Sequence, residues 1–270
     1  MNKKPLVIGS TIDPASMNII NSLLEKSSFR LREGFRKDMI YYSGKELDIC
    51  IVRKELIHLE RFDELVEASM FIFASRHESI SGFKTLSAHT PGNWTSEAKF
   101  GGLPGELCIS PANVLTNMIK LLYEYRLEEW HATYEVTHHG PYIENTPTVF
   151  IEIGSTEKEW RRREAGEIIA TVILEVLKKR SRRPAAVAFG GPHYAPSITK
   201  YVLEEGDIAI GHISPRYVID DLTKEIVFKA FKRTLEEANI AIMDRKGLKK
   251  RHRDKLIPWF EELGVEVVKI

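Results

Sequence analysis

The sequence predicts an α/β protein whose sheet is mixed but mostly parallel and is flanked by helices. Two observations carry that expectation. Short apolar runs rich in Val and Ile alternate along the chain with stretches in which apolar residues recur at helical spacing, and the connections are short. A parallel pair needs a crossover, usually a helix, so such alternation implies parallel strands covered by helices on both faces. No internal repeat or low-complexity linker interrupts the pattern. A single α/β unit over residues 1–270, or two intimately packed lobes sharing one sheet, both fit.

Residues 6–9 read as the first strand. Asp13-Pro14 then opens a helix carrying Met17, Ile19, Ile20, Leu23 and Leu24, since Asp caps well and Pro is tolerated in a first turn. Residues 47–52 and 70–74 are apolar runs of strand length, with a short helix near 63–68 between them. A fourth strand at 87–90 leads into the polar, glycine-rich segment 91–105, too long for a plain connector and suited to an active-site loop. From Pro111, the residues Val114, Leu115, Met118, Leu121, Leu122 and Tyr125 form a helical stripe. Strands at 131–137 and 149–153 follow. Thr156 and Glu159 have capping-box spacing at the head of the longest helix, which runs to about residue 180. The remainder alternates strands at 187–189, 208–210, 240–243 and 265–270 with helices at 196–204, 222–235 and 255–263.

Composition excludes several classes of function. At 270 residues, with 43% hydrophobic and 29% charged residues, the chain has ample core to fold as a globular protein without staples. A net charge of +1 gives no overall attraction to polyanions, so nucleic-acid contact must come from local basic runs such as 161–163, 178–183 and 246–253. Such runs are commonly solvated helix faces. Cys50 and Cys108 lie far apart in apolar runs, which reads as two buried thiols in a reducing compartment and excludes a zinc ribbon. No apolar stretch is long enough to span a membrane, and the N-terminus, Met1 to Pro5, enters a strand at once. A cytoplasmic protein without signal peptide or membrane helix is expected. The phosphate loop, the dinucleotide fingerprint, the nucleophile elbow and the HExxH zinc motif are all missing.

Most of the nine histidines stand where an apolar run meets a turn, and the carboxyl ends of strands are where ligands collect in open α/β sheets. Ser75-Arg76-His77-Glu78-Ser79 places a cation, an imidazole and a carboxylate directly after a buried strand, where charges are costly unless paired or used. His89 is followed by Asn93 and Trp94, an aromatic suited to stacking on a ring. His138 and His139 are adjacent, so they face one site only if the chain turns between them, and Gly140-Pro141 makes that plausible. Glu135 precedes them. Gly190-Gly191-Pro192-His193-Tyr194 lies between a strand and a helix. Its glycines admit a ligand close to the backbone, or serve only the dihedrals of a tight turn. Gly154-Ser155-Thr156, after Glu152, can hold an anion, although helix capping alone would explain Thr156. His212 is a weaker candidate, and His58, His131 and His252 look ordinary.

In order, the segments SRHES, SAHTPGNW, EVTHHGP, EIGSTEKEW and GGPHYAP resemble the D-aminoacyl-tRNA deacylases of the archaeal and plant type, and the resemblance spans nearly the whole chain. It implies an enzyme that hydrolyses the ester between a D-amino acid and the 3′ adenosine of tRNA. It also implies zinc dependence, a monomer, tRNA charged with D-amino acids as partner, and a phosphorylase-like lobe joined to a peptidyl-tRNA-hydrolase-like lobe. On chemical grounds the catalytic candidates are Arg76, His77, Glu78, His138 and His193. His89, His138, His139, His193, Glu135 and Glu152 are candidate metal ligands. Asn93, Trp94, Ser155, Thr156, Gly190, Gly191 and Tyr194 are candidate substrate contacts. Water activated by zinc, or by acid–base chemistry alone, would attack the ester. Two rivals remain at this stage. One is a nucleoside phosphorylase-like enzyme using Gly190-Gly191 for phosphate and His193 as acid; the other is a non-enzymatic RNA-binding module, which leaves the histidines unexplained.

Overall fold

A computed structural model describes residues 3–80 and 82–270; Met1 and Asn2, from which the N-terminal expectation was partly argued, lie outside the described residues. Strand β1 (Leu6–Ser10) is buried throughout and leads to α1 (Pro14–Lys26), whose first turn is capped by Asp13 accepting from the Ser16 amide. A hairpin absent from the apolar pattern follows. Its strands are β2 (Phe29–Leu31) and β3 (Met39–Gly44), and the second pairs antiparallel with β4 (Asp48–Val52). Two turns of 3-10 helix, Leu56–His58 and Phe62–Glu64, replace the expected short α-helix. Next come β5 (Phe71–Glu78), β6 (Thr85–His89), α2 (Ala112–Tyr125), β7 (His131–Tyr134) and β8 (Thr148–Ser155).

The expected longest helix is in fact two, α3 (Glu157–Trp160) and α4 (Arg163–Val176). Thr156 makes no cap to the helix amides, and its hydroxyl instead donates to the Glu159 carboxylate. Arg162 is extended between the two helices, and the Asn18 side chain donates to the carbonyls of Trp160 and Arg162, supplying the partners that the break removes. The chain ends with β9 (Ala185–Phe189), α5 (Pro196–Glu204), β10 (Ala209–Ser214), α6 (Lys224–Lys232), β11 (Ala238–Met243), α7 (Lys250–Leu263) and β12 (Glu266–Lys269). Among the described residues no helix is long and apolar enough to cross a membrane.

The strands form two sheets rather than one shared sheet, in the orders β2-β3-β4-β1-β5-β8-β6-β7 and β10-β9-β11-β12. The small sheet is parallel throughout. In the large one β4, β1, β5 and β8 are parallel, but β6 runs antiparallel to β8. One face of the large sheet, with Val7, Ile49, Ile72 and Ile151, packs on α1, α2 and α4. The opposite face, with Ile8, Phe71, Phe73 and Phe150, is covered by loops and 3-10 turns carrying Leu56, Phe62 and Tyr142 instead of the expected second helical layer. The small sheet does have helices on both sides: Ala188 and Ile210 share a core with Ile198 of α5, and Phe189 and Met243 with Phe231 of α6 and Phe260 of α7.

Residues 134–137 stitch the sheets together. Past β7, the Val136 amide donates to the His193 carbonyl and the Thr137 amide to Ile213, while Ala195 donates back to Tyr134, at 3.0, 2.9 and 3.1 Å.

Candidate active site

The loop-covered face of the large sheet carries the site. Ser75 pairs with Glu152 across β5 and β8, Ser87 with Glu152 across β6 and β8, and His89 with Phe150. Residues opposite one another in neighbouring strands share a face, and so do alternate residues of one strand. His77, Glu152, Phe150, Ser87 and His89 therefore form one patch on three central strands. The carboxyl-end rule used on the sequence is modified here. Because β6 runs against β8, His89 comes in beside Phe150 from the far end, and the patch lies across the sheet's face with Glu152 near its middle.

The seam supplies the other half. Glu135, one residue past β7, is wholly buried and accepts from the Ser87 hydroxyl. His77 Nδ1 and His193 Nε2 each lie 3.0 Å from its carboxylate, and His138 Nε2 lies 3.6 Å away. His139 has a φ of 45°, in the left-handed region that non-glycine residues seldom occupy. That turn puts both adjacent histidines on one side: their ring centroids are 4.2 Å apart, and those of His89 and His138 are 4.4 Å apart. Gly140 is glycine because a Cβ there would sit 2.1 Å from the Gly102 amide and 2.5 Å from the Ile57 carbonyl, so the loop over the site could not close. His77, His138, His139, His193, Glu152 and Tyr194 line a cavity of 740 Å³.

Burial sets the charge states. It pushes His89 down to about 3 and His139 to about 4, aided at His89 by the neighbouring His139, and it holds His138 well below the usual imidazole range. These three rings are neutral and keep a lone pair. Burial opposes charge on His77 too, but Glu135 and Glu152 outweigh it and raise it to about 11. Burial would likewise raise Glu135, yet His77 and His193 hold it well below the usual carboxylate range. Glu152 goes the other way, to about 7, through burial and then repulsion from Glu135.

Among the described residues three overlapping groups bring potential ligand atoms within 4.8 Å of one another: His89 with His138 and His139, His77 with Glu135 and His193, and His89 with Glu135 and Glu152. His138 and His139 donate Nδ1–H to the carbonyls of Val136 and Gly140, which leaves the lone pair on Nε2. His89 has both ring nitrogens buried without a partner, and so is His77 Nε2. Each unmet atom costs about 1–3 kcal/mol; a metal cation would satisfy the lone pair of neutral His89, whereas protonated His77 has none to offer.

The other sequence candidates do not join the histidine–carboxylate cluster. Arg76 lines the cavity, but its guanidinium pairs with Glu55 at 3.2 Å and lies 3.7 Å from Asp13. Glu78 is at the exposed cavity rim. Trp94 is not available for stacking on substrate: it is 4% exposed, donates to the Thr137 carbonyl and packs on Phe189. Asn93 donates to the carbonyls of Gly101 and Leu103 and holds the glycine-rich loop. Gly190 and Gly191 have φ of 116° and 86°, so the turn's dihedrals account for both glycines. Ser155 donates to the Phe83 carbonyl and Thr156 to the Glu159 carboxylate, leaving neither hydroxyl proton free for a ligand anion. His212 is buried away from the cluster, between the Thr137 hydroxyl and the Arg233 carbonyl.

Among the basic runs, Arg161, Arg163 and Arg251 are spent on Glu157, Glu167 and Asp220. The sequence reading missed Ser87 and Phe150. Alternation offered the signal, since each lies two residues from a named candidate, His89 and Glu152, on the same strand.

The comparisons with known proteins agree among themselves. Residues 65–268 match the family described as D-aminoacyl-tRNA deacylase. A D-aminoacyl-tRNA deacylase of Thermococcus onnurineus (strain NA1) is 36% identical over 98% of this chain and 99% of its own, and one of Methanocaldococcus jannaschii is 36% identical over 97% and 98%. A crystal structure of a conserved protein of unknown function superposes with a TM-score of 0.92 at 34% identity, covering 99% of this chain and 95% of that one.

Proposed function

The chain belongs to the D-aminoacyl-tRNA deacylase family, and from that membership we propose that it hydrolyses the ester of D-aminoacyl-tRNA in the histidine-lined cavity, with zinc held by His89, His138 and His139. It is a hydrolase, and its substrate is an aminoacyl-tRNA. The observation that carries the site assignment is the chemistry of the three imidazoles. Two have their Nδ1 protons committed to backbone carbonyls, the third is buried with both nitrogens unmet, and the potential ligand atoms are mutually close. Three neutral imidazoles are a donor set that would suit zinc. When bound, the metal supplies Lewis acidity to the attacking water or the ester carbonyl.

The remaining groups move the protons. His193 is the most exposed imidazole of the cluster, and its Nε2 is tied to Glu135. Its Nδ1 takes the proton of the attacking water and returns it to the departing 3′ oxygen, while Glu135 fixes the ring and balances its charge. His77, a cation held by the two carboxylates, fixes Glu135 from the other side.

The test incubates matched D- and L-aminoacyl-tRNA with the protein before and after chelation, alongside metal analysis of the wild type and of His139→Ala. D-selective release that is lost on chelation and restored by zinc is expected, with zinc missing from the variant. Release untouched by chelator would remove the zinc and leave acid–base chemistry at His193; no release from either substrate would overturn the assignment.

A further inference from the structure

A second hollow adjoins the histidine cavity. It measures 510 Å³, runs beside β7 and α5, and shares Tyr194 with the cavity. Its rim is aromatic. Phe83 and Tyr123 are 58% and 44% exposed, and Phe83 meets His131 edge-on with ring centroids 5.9 Å apart. Exposed aromatics gathered around one concavity mark a surface made to be covered. At the back, Thr85 is 2% exposed and its hydroxyl has no hydrogen-bond partner, and the Tyr194 hydroxyl is buried and unpartnered as well. Buried hydroxyls left unpaired are costly, and both belong to residues that line the hollow. Lys200 also lines the hollow, 3.7 Å from the carboxylate of Glu204 in the same lining. The Tyr194 ring stands 5.3 Å from that of His77, so one aromatic ring separates this hollow from the proposed reaction centre.

We propose that the hollow holds the unpaired 3′-terminal nucleoside of the tRNA. Its base stacks against Phe83, Tyr123 or His131, base or ribose bonds to Thr85 and Tyr194, Lys200 faces the adjoining phosphate, and the ester passes Tyr194 into the histidine cavity. This inference rests on the deacylase reading above. The other candidate for an apolar hollow is the amino-acid side chain. A nucleoside is favoured because the rim is open and aromatic, as in surfaces that stack single-stranded bases. The volume is also in the range of whole ligands rather than of one side chain.

The test measures binding rather than turnover. Affinities are determined for uncharged tRNA with its complete 3′ end and for the same tRNA lacking the terminal adenosine, using wild type, Phe83→Ala/Tyr123→Ala and Thr85→Val. Removing the adenosine is expected to weaken wild-type binding roughly ten- to a hundredfold, the worth of a stacked base. The double variant should bind both tRNAs equally and weakly, and Thr85→Val, which keeps shape and burial, should narrow the gap in part. Equal wild-type affinity for the two tRNAs, or a full gap in the double variant, overturns the proposal. Failure of the deacylase reading shows separately, as wild-type protein that releases no D-amino acid whatever the binding gap.

Discussion

Replacing Glu135 by Gln keeps the side chain's shape and removes the charge on which three rings converge. The carboxylate is wholly buried and accepts from Ser87, from His77 at 3.0 Å and from His193 at 3.0 Å. Taking one partner from a buried ion pair costs about 3–5 kcal/mol, because the other charge is stranded. Here the loss is partly offset. Repulsion from Glu135 is, after burial, what raises Glu152 to about 7, and Glu152 stands 3.5 Å from His77. In Glu135→Gln that repulsion is gone, Glu152 ionises more readily, and His77 keeps a counter-charge, while His193 loses the carboxylate that accepts from its Nε2. The expected loss is therefore at the low end, about 3 kcal/mol, which lowers the melting temperature of a chain this size by roughly 6–12 °C. Glu135→Gln/Glu152→Gln removes the substitute too, so its loss should exceed the sum of the single losses by about 1 kcal/mol. Calorimetry near neutral pH on the four proteins measures both quantities. An additive double variant, or a Glu135→Gln melting point within about one degree of wild type, would refute the reasoning.

Two further outcomes are expected. His212 titrates near 4 in the fold against the usual 6.5, chiefly because it is buried, so its contribution to stability is present above about pH 6.5 and lost as pH falls through about 4. His212→Gln should flatten the stability profile across that window by up to about 3 kcal/mol relative to wild type, read from denaturant melts; parallel profiles would show that the ring is already charged in the fold. Trp94→Phe should cost about 1–3 kcal/mol for the stranded Thr137 carbonyl and leave tRNA affinity unchanged in a filter-binding assay, whereas a tenfold weaker affinity would return Trp94 to the substrate.

The parts of the fold legible in the sequence are those with strong local signals. Asp13-Pro14 and Pro196 mark helix starts that the structure keeps, and the apolar runs of β1, β4 and β9 are buried as expected. The β2–β3 hairpin escaped because β2 is the edge strand and β3 lies next to it, where Arg30 and Arg32 are free to face water and no apolar run is needed. The break before α4 escaped because its carbonyls are satisfied by Asn18, a residue far away in sequence. In the site, the imidazoles and carboxylates were legible as chemistry out of place at the ends of buried runs. Their arrangement was not. It depends on β6 being antiparallel to β8 and on a left-handed turn at His139, neither of which leaves a trace in residue type. Trp94 was misread for the reverse reason: an aromatic beside glycine and proline suggested a loop ligand, and tertiary packing drew it into the core.

The stitch at residues 134–137 also bears on how the molecule comes together. Glu135 and His193 are 58 residues apart, and they meet only when the strand leaving the large sheet bonds to the small one. Until that contact forms, Glu135 remains hydrated and needs no counter-charge. Long-range contacts of this kind form late, after the entropy of closing a large loop has been overcome. The buried charge network is therefore assembled in the closing step of folding, and a chain with only its large sheet formed would already hold His89 and Glu152 in place while still lacking His193, the group that moves the proton.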